Sequence, residues 1–264
     1  MKKSLYILLV MICFSAISVS AEEVTTDSIS GKILIRDGSM LAEGVVLFFN
    51  DMIGPPPDPD KYMRVPVNIA NTDDDGRFTA KLPEGKYYIG VLKHIMGIMG
   101  APPHEGDIFF ISRDETGSPK AFSVEKGKHI EVNLLSEAIP YIPYEGGTSG
   151  EGITAIEGSI YDMSGNPVEY AVVFAHMTSI NDGGLSFISD WTDKNGRYLL
   201  RVHQGGVYYL RVEGLHGRAL NKSGVVIGDK DIDVSGGIKV ETGEIERGID
   251  IKVIIPPKGK PQGG

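Results

Sequence analysis

The sequence predicts an all-β chain of two tandem β-sandwiches. Three observations carry that prediction: an internal repeat, a period-two alternation of apolar residues, and turn residues at regular spacing. "ISGKILIRDGSMLAEGVVLFF" (residues 29–49) aligns without gaps to "IEGSIYDMSGNPVEYAVVFAH" (156–176), a shift of 127 that puts Gly31 on Gly158 and Val46 on Val173. "TDDDGRF" then matches "TDKNGRY" at a shift of 120, "EGKYYIGV" matches "GGVYYLRV" at 121, and "VEKGKHIEVNL" is similar to "VETGEIERGIDIKV". The difference in shift places a seven-residue insertion in the first copy, within "NDMIGPPPDPDKY".

Each block reads as strand. Phe78, Ala80 and Leu82 alternate with polar neighbours, as do Tyr198, Leu200 and Val202. Tyr87, Ile89 and Val91 alternate with Tyr88 and Gly90, and Tyr208, Leu210 and Val212 with Tyr209 and Arg211. Asp37-Gly38, Ser164-Gly165-Asn166-Pro167 and Asn195-Gly196 punctuate the runs. The expected organisation is a signal peptide over 1–21, a sandwich over 28–137 with proline-rich insertions, a Pro/Gly linker over 138–152, a second sandwich over 153–255 and a disordered tail over 256–264.

The opening "MKKSLYILLVMICFSAISVSAEE" has a basic start, a short apolar run and a small-residue site ending at Ala21, the pattern of an exported protein. Cleavage there would remove Cys13, the only cysteine, and with it disulfides, thiol nucleophiles and Cys-ligated metals. It would also remove Lys2 and Lys3, leaving 24 basic against 35 acidic residues, a net charge of −11 that repels nucleic acid and anionic membranes. Beyond the signal no apolar run is long enough for a membrane span. The expected location is the periplasm or the extracellular space.

The motif "G-x-I-x-D-x-x-G-x-P-V-x-x-A-x-V" (158–173), followed by "T-D-x-x-G-R-Y" and "G-x-Y-x-L-x-V", resembles the carboxypeptidase regulatory-like domain. The first copy departs from it at Gly44, where the alanine would be, and in its insertions. The resemblance implies a seven-stranded, transthyretin-like Greek-key sandwich of the carbohydrate-binding-like group in each copy. Members of that family serve as accessory, adhesive or sugar-binding modules, so it implies little about activity.

Candidate sites follow from residue type and spacing. Counted back from Gly76, residues Asn71, Asp73 and Asp75 mimic the start of a calcium loop, but the twelfth position is Leu82. The second copy keeps the glycine, as Gly196, but not the run of three acids, so a turn with Gly76 and Gly196 at positive φ is preferred to calcium. His94, Met96, Met99 and His104 lie within eleven residues and form a ligand set for soft copper, with loop packing as the alternative. The six histidines contain no HExxH, no GxSxG is present, and Gly127-Lys128 does not continue as a phosphate loop. No catalytic residue and no cofactor is therefore expected.

Carbohydrate recognition needs exposed aromatic faces, for which Trp191, Tyr88 and Tyr209 are the candidates. The proline segments "GPPPDPDKYMRVP" and "MGAPPHEGDIFF" suggest either an exposed docking surface or a shield for a sheet edge. The sequence thus points to a non-catalytic binding or scaffolding module for an envelope or extracellular protein or a glycan. The runner-up is a carbohydrate binder using Trp191, followed by a calcium- or copper-binding module.

Overall fold

The computed structural model describes residues 27–35, 37–95, 102–136, 140–142, 152–178, 184–214, 226–227 and 237–255. The expected signal peptide, the tail over 256–264 and most of the linker lie outside the described residues, as do Met96 and Met99. The chain is all-β, and among the described residues no helix is long and apolar enough to cross a membrane.

Eight strands build the first sandwich: β1 (Ser28–Ile35), β2 (Val45–Asn50), β3 (Asn68–Asn71), β4 (Arg77–Lys81), β5 (Gly85–Lys93), β6 (Ile108–Ile111), β7 (Ala121–Val124) and β8 (His129–Ser136). One sheet has the order β4-β1-β8 and the other β3-β2-β5-β6, with β7 beside the opposite end of β5. The second sandwich holds β9 (Thr154–Asp162), β10 (Ala171–His176), β11 (Ser186–Ile188), β12 (Arg197–Val202), β13 (Gly206–Gly214), β14 (Val226–Ile227), β15 (Ile238–Val240), β16 (Ile245–Arg247) and β17 (Ile251–Val253). Its sheets run β12-β9-β17-β14 and β11-β10-β13-β15, with β16 also on β9. Seven strands per sandwich were expected. The first has eight described strands, and in the second β16 and β17 both run parallel to β9, as two pieces separated at Gly248.

The strand register repeats the sequence alignment. Gly31 lies opposite Phe78 and Gly158 opposite Tyr198, while Val46 faces Val91 and Val173 faces Val212. Between the sheets of the first sandwich Ile29, Ile33, Val46, Phe48, Phe78, Tyr87 and Ile89 form one buried core. Ile156, Ile160, Val173, Leu200, Tyr208 and Val212 form its counterpart in the second.

Three recurring residues explain the shared motif. The glycine of the first strand is forced by a close approach, since a Cβ on Gly31 would sit 1.9 Å from the Val132 carbonyl oxygen and one on Gly158 1.9 Å from that of Ile249. The tyrosine of G-x-Y is buried, and its hydroxyl donates to the carbonyl four residues back: Tyr87 to Pro83 at 2.8 Å and Tyr208 to Gln204 at 2.7 Å. The aspartate of T-D-x-x-G closes the turn. Asp73 Oδ1 accepts from the amides of Asp75 and Arg77, and Asp193 Oδ1 from those of Asn195 and Arg197.

A methyl group at Gly158 would meet backbone rather than a flexible side chain, so Gly158→Ala must push β9 away from its parallel neighbour. It should cost about 3 kcal/mol, the upper end of overpacking, and lower the melting temperature measured by circular dichroism. An unchanged melt would show that this approach is slack.

Candidate functional site

The second strand of each copy reads as an unbroken apolar run, "VVLFF" and "AVVFA", because each sheet is covered on both faces. One face closes its own sandwich. The other meets the neighbouring copy, where Leu47, Phe49, Leu92 and Ile111 of the first sandwich join Val172 and Ile188 of the second in a single buried cluster.

Both first-copy insertions are spent on this seam. Met63–Val65 runs beside β11: Val65 N–H donates to Ser186 O at 2.9 Å, Ile188 N–H donates to Met63 O at 3.0 Å, and Arg64 is bridged to Phe187. Tyr62 goes further and enters the second core, edge-on to Phe187 at 5.8 Å, with its hydroxyl donating to Pro56 O at 2.7 Å. Burial raises the Tyr62 hydroxyl to about 12. Arg64 is 3% exposed and donates to the carbonyls of Asn50, Gly54 and Pro55, which curls the proline run back on itself. Burial brings its guanidinium down to about 10. The expected exposed polyproline segment is therefore corrected: Pro57, Tyr62, Met63 and Arg64 are buried, and the segment covers a sheet edge.

The second insertion meets the seam through a histidine pair. Trp191 Nε1–H donates to Pro102 O at 3.0 Å, and the Trp191 ring stacks on His104 with centroids 4.8 Å apart and 17° between planes. His94 lies 6.0 Å from His104, ring to ring. Asp107 sits between them, 1% exposed. Its Oδ2 lies 2.7 Å from His94 Nδ1 and 3.7 Å from His104 Nδ1. The carboxylate is fixed by the amides of Ile95, on Oδ1, and His104, on Oδ2, each at 2.8 Å. Burial alone would raise the Asp107 carboxyl, but these amides and the His94 ring outweigh it and hold it below the usual range. Burial also pushes the His104 imidazole below its ordinary value, and Asp107 offsets only part of that. Two imidazoles and a carboxylate in one buried corner are a set that can share protons or hold a cation.

The other candidate residues lie elsewhere. Asp73 is committed to its turn, and Gly76 and Gly196 have φ of +69° and +74°. Tyr88 and Trp191 are half-buried and pack against the seam cluster. Tyr209 is half-buried on β13, opposite His176. The structure brings His94 and His104 together and adds Asp107, which no motif pointed to. Its only trace in the sequence is the three-residue spacing from His104.

No protein-family model matches the chain, and no curated protein matches it. Among solved structures, the TIE protein of Bacillus anthracis is 16% identical, the match covering 86% of this chain and 34% of that one at a TM-score of 0.25. A streptococcal ancillary pilin is 12% identical over 89% of this chain and 64% of its own, with a TM-score of 0.27. A minor pilin of Streptococcus agalactiae is 14% identical over 89% and 99%, with a TM-score of 0.24. The chain spans less than two thirds of the length of the first two. At such scores the likeness carries no functional weight, and the geometry alone has to be read.

Polar contacts close the rim of the seam. Tyr141 donates to Asp190 Oδ1 at 2.6 Å, and the buried Arg201 lies 3.7 Å from Asp190 Oδ2 and donates to Pro59 O at 2.8 Å. Tyr141 falls inside the expected linker, yet it is buried and its amide donates to Asp107 O. Tyr62 is the deepest anchor. Tyr62→Ala should destabilise the chain by about 3 kcal/mol, although it removes a first-copy side chain from the second copy's core. Chemical denaturation followed by circular dichroism measures this, and a loss under about 0.5 kcal/mol would contradict the packing described.

Proposed function

We propose that the chain is an exported, non-catalytic binding or scaffolding module whose two sandwiches act as one body toward an envelope or extracellular protein or a glycan. The observation that carries this reading is the fate of the insertions. The segments with the composition of a mobile docking arm are consumed in joining one sandwich to the other. A joint of that kind suits a part that must hold its partners at a fixed spacing. Export rests on the N-terminal pattern of "MKKSLYILLVMICFSAISVSA". Membership of the carboxypeptidase regulatory-like family is part of the same proposal and is supported by the repeated Gly, Asp and Tyr roles in both copies.

The carbohydrate reading through Trp191 has one ring face covered by His104 and its N–H already given to Pro102. Of the three aromatic candidates, Tyr209 alone stands outside the seam cluster.

The immobilised chain, cleaved after Ala21, should retain a saturable partner from a glycan array or from purified envelope proteins and release it chemically unchanged. Retention of neither class, or recovery of a cleaved or modified compound, would contradict a non-catalytic binding module.

A further inference from the structure

We propose that His94, His104 and Asp107 form a binding site for a divalent transition-metal ion of the zinc class, placed directly against Trp191 at the seam. Donor atoms of the three residues all lie within 4.8 Å of one another. A tetrahedral ion with ligand distances of ~2.0–2.1 Å needs donors about 3.4 Å apart. The observed 2.7 Å from His94 Nδ1 to Asp107 Oδ2 and 3.7 Å from His104 Nδ1 to the same oxygen bracket that value.

His104 supplies the strongest indication. Both of its ring nitrogens are buried, and neither has a hydrogen-bond partner. A buried polar group left that way costs about 1–3 kcal/mol, and coordination would satisfy it. The ring is not slack either, since the Trp191 stack fixes its plane and Trp191 is itself held by Pro102. Asp107 is equally preset, with backbone amides on both of its oxygens. Metal-site carboxylates and imidazoles are usually oriented by outer contacts of this kind.

The donor set decides the class of ion. Two imidazole nitrogens and one carboxylate suit Zn²⁺, with Co²⁺, Ni²⁺ and Cu²⁺ as competitors. Calcium prefers six to eight oxygen ligands and finds one carboxylate here. Soft Cu⁺ prefers thiolate or thioether donors, and the three residues of this set supply nitrogen and oxygen. Coordination through His94 Nδ1 replaces the hydrogen bond to Asp107 Oδ2, and the ring then carries its proton on Nε2.

Trp191 is the only tryptophan, so its emission reports on the His104 ring directly. Metal-free protein titrated with Co²⁺ should develop visible absorption bands of four-coordinate cobalt, saturating at one equivalent. Trp191 emission should change in step, and Zn²⁺ should reverse the bands. His104→Ala and His94→Gln should each weaken binding by more than about 100-fold, beyond the loss typical of an outer contact, whereas Asp73→Ala should leave it unchanged. Absence of saturable binding at millimolar Co²⁺ or Zn²⁺ would overturn the proposal, a result the unaltered protein gives without any variant. Binding that survives both His94→Gln and His104→Ala, or that is lost in Asp73→Ala, would overturn it equally, by placing the ion elsewhere.

Discussion

Met63–Val65 lies along β11, and that antiparallel pairing is the constraint on which the rest of the assembly depends. Two backbone hydrogen bonds set its register, and each contributes only about 1 kcal/mol net. Their larger effect is positional. They bring Tyr62 over the second core, Arg64 onto the proline carbonyls, and the outer face of β2 and β5 against that of β10. They also cap the edge of β11, which would otherwise present open amides and carbonyls to another chain. A segment that belongs to the first sandwich by sequence completes the second by contact.

The histidine corner is a consequence of the same joint. The segment from His94 to Asp107 leaves β5 and returns as β6, and a long connection of this kind is ordinarily mobile. Here Pro102, Pro103 and Asp107 are buried, and the Trp191 ring from the second sandwich lies on His104. The two imidazoles are therefore held near a carboxylate by contacts from both copies. Tyr141 closes the arrangement from the chain between the copies, since its amide bonds to Asp107 O and its hydroxyl to Asp190. A bound ion would stiffen the loop on which Trp191 rests, and so tighten the joint from its polar rim.

How much of this was legible depended on whether the controlling interaction was local. Turns and strand periodicity are local, and the repeat carries further: the alignment of Gly31 with Gly158 and of Phe78 with Tyr198 reappears as cross-strand pairs. Of the three aspartates in "TDDDGR", Asp73 has the same amide-capping role as Asp193, so the first of the three is part of the turn. Long-range cover was not legible. Tyr62 and Trp191 looked like surface residues because nothing in one sequence says which sheet a distant segment will meet. The unbroken runs at Val45–Asn50 and Ala171–His176 were the available sign, since a sheet with one wet face would have alternated. Asp107 escaped notice because its role comes from burial and from amides that the fold brings to it.

If the seam makes the two sandwiches one body, they should melt together. Differential scanning calorimetry of the chain cleaved after Ala21 tests this most directly. A single transition whose calorimetric enthalpy equals its van't Hoff enthalpy is the predicted result. Two separable transitions, each with the enthalpy of one sandwich, would contradict it.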